Sequence, residues 1–308
     1  MRRFGVVFAW VIMIVIFSVL RPATFFSFST IQTLAGSQTV LLIVALGLIF
    51  PLAAGEFDLS VAGVTGLSLV MIGWLNVIHG WPIAAAIAVA LGVGLVVGAV
   101  NAFFVVIIGV HSFITTLGTG TILTGVMLGT NTKSTGGISP ALIDAMHTRV
   151  LGLPLAFFYG LALTGLVWYV MSQTPLGRYF YFVGGGGEVA RLAGLRVNAI
   201  RAGSLIASAL MAALAGVVFA GWLGASDVNA ANGLLLSSFA AAFLGASVIS
   251  PGRFNAWGTL IAVYFLVTGI TGLTLVGLAG WIEFIFYGAS LILAVALSRT
   301  SSLPRGAK

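Results

Sequence analysis

Long uninterrupted apolar runs constrain this chain more than any other feature. Val40 to Phe50 and Ile83 to Val100 hold no charged or amide side chain, and similar runs recur along the sequence. A helix needs about 20 predominantly apolar residues to cross the hydrocarbon core of a bilayer. Within lipid every backbone polar group must be satisfied internally, which leaves helices and closed barrels as spanning structures. A barrel would alternate polar and apolar residues over about ten-residue segments, and these runs do not alternate. Composition agrees: 6% of the residues are charged and 60% hydrophobic, against about 25% charged in a soluble domain. The expected fold class is all-α, a polytopic integral membrane helical bundle of about ten transmembrane helices. Residues 1–308 then form one membrane domain, because the spans leave room only for short loops.

Turn chemistry divides the chain into expected spans at 4–20, 35–54, 59–78, 82–107, 113–130, 152–171, 200–222, 233–249, 255–277 and 279–298. Residues 24–34 read as interfacial, with phenylalanines among serine and threonine. The first apolar run exceeds the core of a signal peptide, and Leu20-Arg21-Pro22 is no small-residue cleavage site. It reads as an uncleaved span. With the amino terminus inside, ten basic residues fall on the cytoplasmic side: Arg2, Arg3, Arg178, Arg191, Arg196, Arg201, Arg253, Arg299, Arg305 and Lys308. Three fall outside: Arg21, Lys133 and Arg149. That asymmetry follows the positive-inside rule and puts both termini in the cytoplasm. It also accounts for the net charge of +7 without a nucleic-acid partner.

Several chemistries are excluded. No G-x-x-x-x-G-K-S/T phosphate loop occurs, and the only lysines are Lys133 and Lys308, so the chain has no nucleotide cradle of that type. Gly185-x-Gly187-x-x-Ala190 matches a relaxed dinucleotide pattern but has no strand before it. His79, His111 and His147 lie in separate breakpoints, and there is no cysteine. No metal site, cofactor or catalytic set is expected.

Two polar interruptions stand out. Glu56 and Asp58 lie between apolar runs, where ionisable residues are costly and become functional candidates. Asp58 can equally cap the helix that starts after it; Glu56 has no such role and is a candidate for a path or gate. The longer interruption, about 172–199, contains Gly184 to Gly187 and then a short basic amphipathic stretch. Val189, Leu192 and Leu195 are spaced three apart, which expects a helix of two or three turns with one apolar stripe. Such a helix either lies on the membrane surface or inserts into a partner's groove.

These residues also carry a resemblance. Gly55-Glu56-Phe57-Asp58-Leu59-Ser60-Val61 is similar to G-G-I-D-L-S-V, and Ala190-Arg191-Leu192-Ala193-Gly194-Leu195 follows Gly184-Gly185 much as A-A-R-L-S-G-I follows G-G-N. With Asn101, Ser112 to Thr119, Thr174 to Arg178, Leu244-Gly245 and Gly258-Thr259, the chain resembles the permease subunits of bacterial ABC importers for ribose, xylose, galactose and related monosaccharides. The resemblance implies a bacterial inner-membrane permease paired with a second permease subunit, the same or a related chain. It further implies two cytoplasmic ATP-binding subunits, which bind the ATP, and a periplasmic or lipid-anchored sugar-binding protein. It gives the ATPase-coupling role to Gly187, Glu188, Val189, Arg191, Leu192, Gly194 and Leu195. Candidates for the translocation path are Glu56, Asp58, Ser60, Asn101, Phe113, Thr115 and Thr116. The alternative is an ion-coupled secondary transporter using Glu56 or Asp58. Glu56 departs from the family pattern, which has glycine there.

Overall fold

A computed structural model describes residues 5–130, 133–278 and 280–302. Expectations for Arg2, Arg3, Arg305 and Lys308 lie outside the described residues, as does the side chain of Arg299. The chain is almost wholly helical. Helices α1 (Gly5–Leu20), α2 (Phe28–Ser37), α3 (Thr39–Ala53), α4 (Val61–Gly73), α5 (Ile83–Ala102) and α6 (Ser112–Thr130) form its first half. A short segment follows with β1 (Thr135–Gly136), α7 (Pro140–His147) and the two-residue strands β2 (Arg149–Val150) and β3 (Leu153–Pro154). Then come α8 (Leu155–Gln173), α9 (Pro175–Gly185), α10 (Gly187–Leu192), α11 (Val197–Leu223), β4 (Ala225–Ser226), α12 (Leu234–Gly245), α13 (Ala256–Val276) and α14 (Trp281–Ser302).

The bundle is centred on α3 and α11. Every residue of α3 is buried, and α11 packs on α3, α4 and α5. Hydrophobicity does not drive helices together in lipid, so close approach of small residues does. A Cβ on Gly94 would meet the Ala209 carbonyl oxygen at 2.9 Å, and one on Gly98 would lie 2.8 Å from the Ile206 Cα. On the other side of α11, Thr65 Oγ1 donates to the Ala212 carbonyl at 3.0 Å and Ser68 Oγ to that of Ala213 at 2.8 Å. Small residues on α11 are what bring these donors within reach.

The contacts sort the loops into two ends. At one end the β2–β3 hairpin, the β1–β4 pairing, α7 and the turn after α1 gather. There Gln32 donates to the Gly152 carbonyl at 2.6 Å and Arg21 to that of Val276 at 3.3 Å. At the other end lie the α3–α4 turn, the start of α6, all of α9 and α10, and the α12–α13 turn. Arg178, Arg191, Arg196, Arg201 and Arg253 belong to this second end, whereas Arg21, Lys133 and Arg149 belong to the first. Of the basic side chains described, five thus lie at one end of the body and three at the other.

The structure refines three expectations. Among the described residues, seven helices are long and apolar enough to cross a membrane: Phe28–Ala53, Val61–Ile78, Ile83–Ile108, Ser112–Thr130, Leu155–Gln173, Val197–Leu223 and Ala256–Val276. The expected spans 4–20 and 233–249 fall on the shorter apolar helices Gly5–Leu20 and Leu234–Gly245, and 279–298 falls on the 22-residue α14. At 1.5 Å per residue, the 12 residues of α12 reach about 18 Å of a core some 30 Å thick. The interfacial reading of 24–34 gives way to a helix from Phe28 that runs into α3, started by Ser27, whose Oγ accepts from the Thr30 N–H at 3.1 Å. Last, the polar interruption after α8 is not an open glycine loop. Its first half is α9, begun by Pro175 at the first helical position, where proline's missing N–H costs nothing. Gly177, Phe180 and Val183 form the buried side of α9. Phe180 packs edge-on against Phe50 of α3 with ring centroids 5.8 Å apart.

Candidate functional site

The helix expected after the four glycines, α10, is six residues long, Gly187–Leu192, shorter than the two or three turns expected. What ends it is legible chemistry. Gly194 takes φ +82°; its N–H bonds the Arg191 carbonyl at 3.0 Å, and the Leu195 N–H bonds that of Ala190 at 3.0 Å. This is the Schellman closure, which needs a residue without Cβ strain at the left-handed position. Closing the helix there turns Leu195 inward, where it is half-buried and packs on the core. The expected three-residue stripe is therefore a pair. Val189 is 62% exposed and Leu192 90% exposed, while Ala190 beside them is fully buried. Glu188 and Arg191 are also exposed, so two bulky apolar side chains stand on a face flanked by charges. Among the described residues nothing covers Leu192, and Val189 is only partly shielded.

Behind this knob, α9 is held by both neighbouring turns. Gly184 lies against the α3–α4 turn so closely that an added Cβ would fall well inside contact distance of the Ala53 carbonyl oxygen and 3.0 Å from the Gly55 nitrogen. Tyr181 donates its hydroxyl to the Phe254 carbonyl, and the Arg253 guanidinium lies 4.8 Å from the Tyr181 ring centroid. Burial pushes the Tyr181 hydroxyl up to about 12 despite the nearby arginine, so it stays a donor at neutral pH. The two turns held by α9 join α3 to α4 and α12 to α13.

The α3–α4 turn collects most of the expected path residues into one buried network. Phe57 N–H bonds Ser112 Oγ at 3.1 Å and Leu59 N–H bonds Thr116 Oγ1 at 2.9 Å. Asp58 Oδ1 accepts from the Ser60 N–H at 3.0 Å and the Ser60 hydroxyl at 2.5 Å. Asn101 Nδ2 donates to Ser60 Oγ at 3.0 Å, and Thr119 Oγ1 donates to Asn101 Oδ1 at 2.7 Å. Asp58, Ser60, Asn101 and Thr116 are wholly buried. Asp58 thus closes a tight turn onto Ser60, the residue before α4, and caps none of that helix's own N–H groups. Phe113, by contrast, points outward at 45% exposure. Thr115 is half-buried, with a hydroxyl that has no hydrogen-bond partner.

Sequence reading missed Arg201, Ser112, Thr119 and Ser208 as members of this site. Arg201 forms an ion pair with Glu56 across 145 residues, and no local spacing signals a partner that distant. Glu56 is therefore neutralised rather than free. Beside an α4–α6 groove of about 300 Å³, Thr121, Thr124 and Asn232 also supply polar groups that the sequence gave no reason to choose.

Asp58 Oδ2 and Ser208 Oγ are both buried without a hydrogen-bond partner. Burial pushes the Asp58 carboxyl above its ordinary value of 3.8, while the Ser60 and Ser208 hydroxyls pull it the other way. A neutral side chain of the same shape should serve. Asp58→Asn is expected to melt within about 1 kcal/mol of the unaltered protein in detergent. Asp58→Leu should lose about 2 kcal/mol or more by stranding the Ser60 donors. An asparagine as damaging as the leucine would show that the charge itself is required.

Seven helices of spanning length and apolar character, packed round a buried polar network, define a polytopic integral membrane protein. The chain belongs to the family described as branched-chain amino acid transport system / permease component, whose model matches residues 30–295. It is 28% identical over 301 residues to the D-allose transport system permease protein of Escherichia coli K12, covering 97% of this chain and 92% of the relative. It is 30% identical over 292 residues to the ribose import permease protein of Haemophilus influenzae, with 93% and 90% covered. An autoinducer 2 import system permease protein of Photorhabdus laumondii is 29% identical over 268 residues, with 85% and 80% covered. No solved structure matches the chain. Membership makes this a transporter subunit, not an enzyme, and the ion-coupled alternative built on Glu56 and Asp58 is not favoured.

Proposed function

We propose that this chain is the permease subunit of an ATP-binding-cassette importer that moves a monosaccharide or polyol across the bacterial inner membrane. The knob of Val189 and Leu192 carries the reading. Two exposed apolar side chains on a glycine-delimited helix, at the arginine-bearing face, suit insertion into the groove of a cytoplasmic ATP-binding subunit. Gly187, Glu188, Arg191 and Gly194 frame that contact and Leu195 anchors it. Two such ATP-binding subunits, a second permease and an extracytoplasmic sugar-binding protein complete the assembly. In this reading all ten apolar helices lie in the membrane, with the shorter α1 and α12 filling the bundle and both termini cytoplasmic. ATP-driven closure of the partners moves the knobs and opens the path outward; hydrolysis resets it. Substrate biases that cycle only through its different affinity for the two states.

The orientation is testable because the chain contains no cysteine. A single cysteine at Ser134 is expected to react with a membrane-impermeant maleimide in intact cells, and one at Gly186 only after permeabilisation. The reverse pattern would invert the topology. Purification of the tagged chain from its own host should bring down an ATP-hydrolysing subunit. Recovery of the chain alone under mild detergent, together with uptake driven by a proton gradient, would remove the ATP-driven reading.

A further inference from the structure

Glu56 stands where the motif this chain resembles, G-G-I-D-L-S-V, has glycine rather than a charge, and the structure gives it a partner and a position. Its side chain is 8% exposed and is paired with Arg201, itself 30% exposed. Arg201 is the fifth residue of α11, the helix into which the docking segment leads. At the other end of that segment, Gly184 of α9 presses on the backbone of Ala53 to Gly55. The chain therefore meets the α3–α4 turn on both sides of α10, at Gly184 just before it and at Arg201 on the helix after it.

These two contacts differ in what they can transmit. Gly184 against a backbone carbonyl is a steric contact; it resists compression and offers almost nothing when the parts separate. An ion pair shielded from water attracts, and salt screens it less than a surface pair. We infer that the Glu56–Arg201 pair is the positioning element that draws the α3–α4 turn after the docking segment on the stroke in which Gly184 withdraws. From the turn the motion passes to Ser112 and Thr116 of α6 and to the Asp58–Ser60–Asn101 network, through the hydrogen bonds already given. This deepens the proposed coupling role and rests on it.

The test uses the full assembly in nanodiscs with Phe57→Cys as the only thiol in the permease, since Phe57 lies on the turn and is 37% exposed. Maleimide labelling rates are compared with and without Mg-AMP-PNP. With Glu56 present, the nucleotide is expected to change the rate several-fold. In Glu56→Gln the ratio should collapse towards one while the ATPase subunit still copurifies, and the exchange Glu56→Arg with Arg201→Glu should restore it. An undiminished ratio in Glu56→Gln would overturn the inference. So would loss of the ATPase subunit in Glu56→Gln, or an exchange variant that regains assembly without regaining the nucleotide response, since either marks a purely structural pair. If the chain bearing Glu56 retains no ATPase subunit at all, the fault lies instead with the function on which this inference rests.

Discussion

Leu192→Asp is expected to release the ATP-hydrolysing subunit and abolish uptake while leaving membrane insertion intact. At 90% exposure, Leu192 makes almost no contact within the chain, so the permease itself should fold and insert as before. In the complex the same side chain would be desolvated, and a carboxylate forced into that contact is left without a partner. Central apolar anchors of this kind cost at least about 2 kcal/mol when truncated, roughly 30-fold in affinity, and a charge costs more. The measurement is the ratio of ATPase subunit to permease after affinity purification. Stoichiometric recovery with normal uptake would show that α10 is not the docking element and would favour a helix lying on the membrane surface.

The second large effect is expected at Gly184, where Gly184→Ala and Gly185→Ala should behave in opposite ways. A methyl on Gly184 meets the backbone of the α3–α4 turn, whereas nothing lies within 4 Å of a Cβ on Gly185. Overpacking against backbone that cannot rotate away costs typically about 1–3 kcal/mol; alanine in an open helical position gains up to about 1 kcal/mol over glycine. Gly184→Ala should therefore lower the melting temperature and reduce ATPase recovery by displacing α9, and Gly185→Ala should do neither. Equal behaviour of the two variants would mean that α9 does not seat on the turn through Gly184.

Those neighbouring glycines show where sequence reasoning stops. Periodicity and turn residues located the helices well, because lipid forbids most alternatives to a continuous apolar helix. They failed where a segment is amphipathic and short: α9 was hidden by its glycines, and Leu195 was assigned to the exposed stripe because spacing alone ignores the closure at Gly194. The candidate site was legible in part. Asp58, Ser60, Asn101 and Thr116 are polar residues within apolar surroundings, and they do converge. Arg201 was invisible as their neighbour, since its arginine was already explained by topology and its partner is 145 residues away. Nor could the length of α12 be read, because Ala246 to Val248 continue the apolar run after the helix has ended.

The plainness of α11 has its own consequence. Ala209, Ala212, Ala213, Gly216 and Ala220 carry no functional group, yet the four alanines are fully buried and a Cβ on Gly216 would meet Ser68 Cβ and the Thr65 carbonyl oxygen at 2.5 Å. A larger residue at any of them must push apart two helices at once, so substitution there is purged as strictly as at a binding residue. Mutational sensitivity in this chain therefore reports two unrelated quantities, clearance and chemistry. Over evolutionary drift the most invariant stretch would be the one with least to say about what is carried.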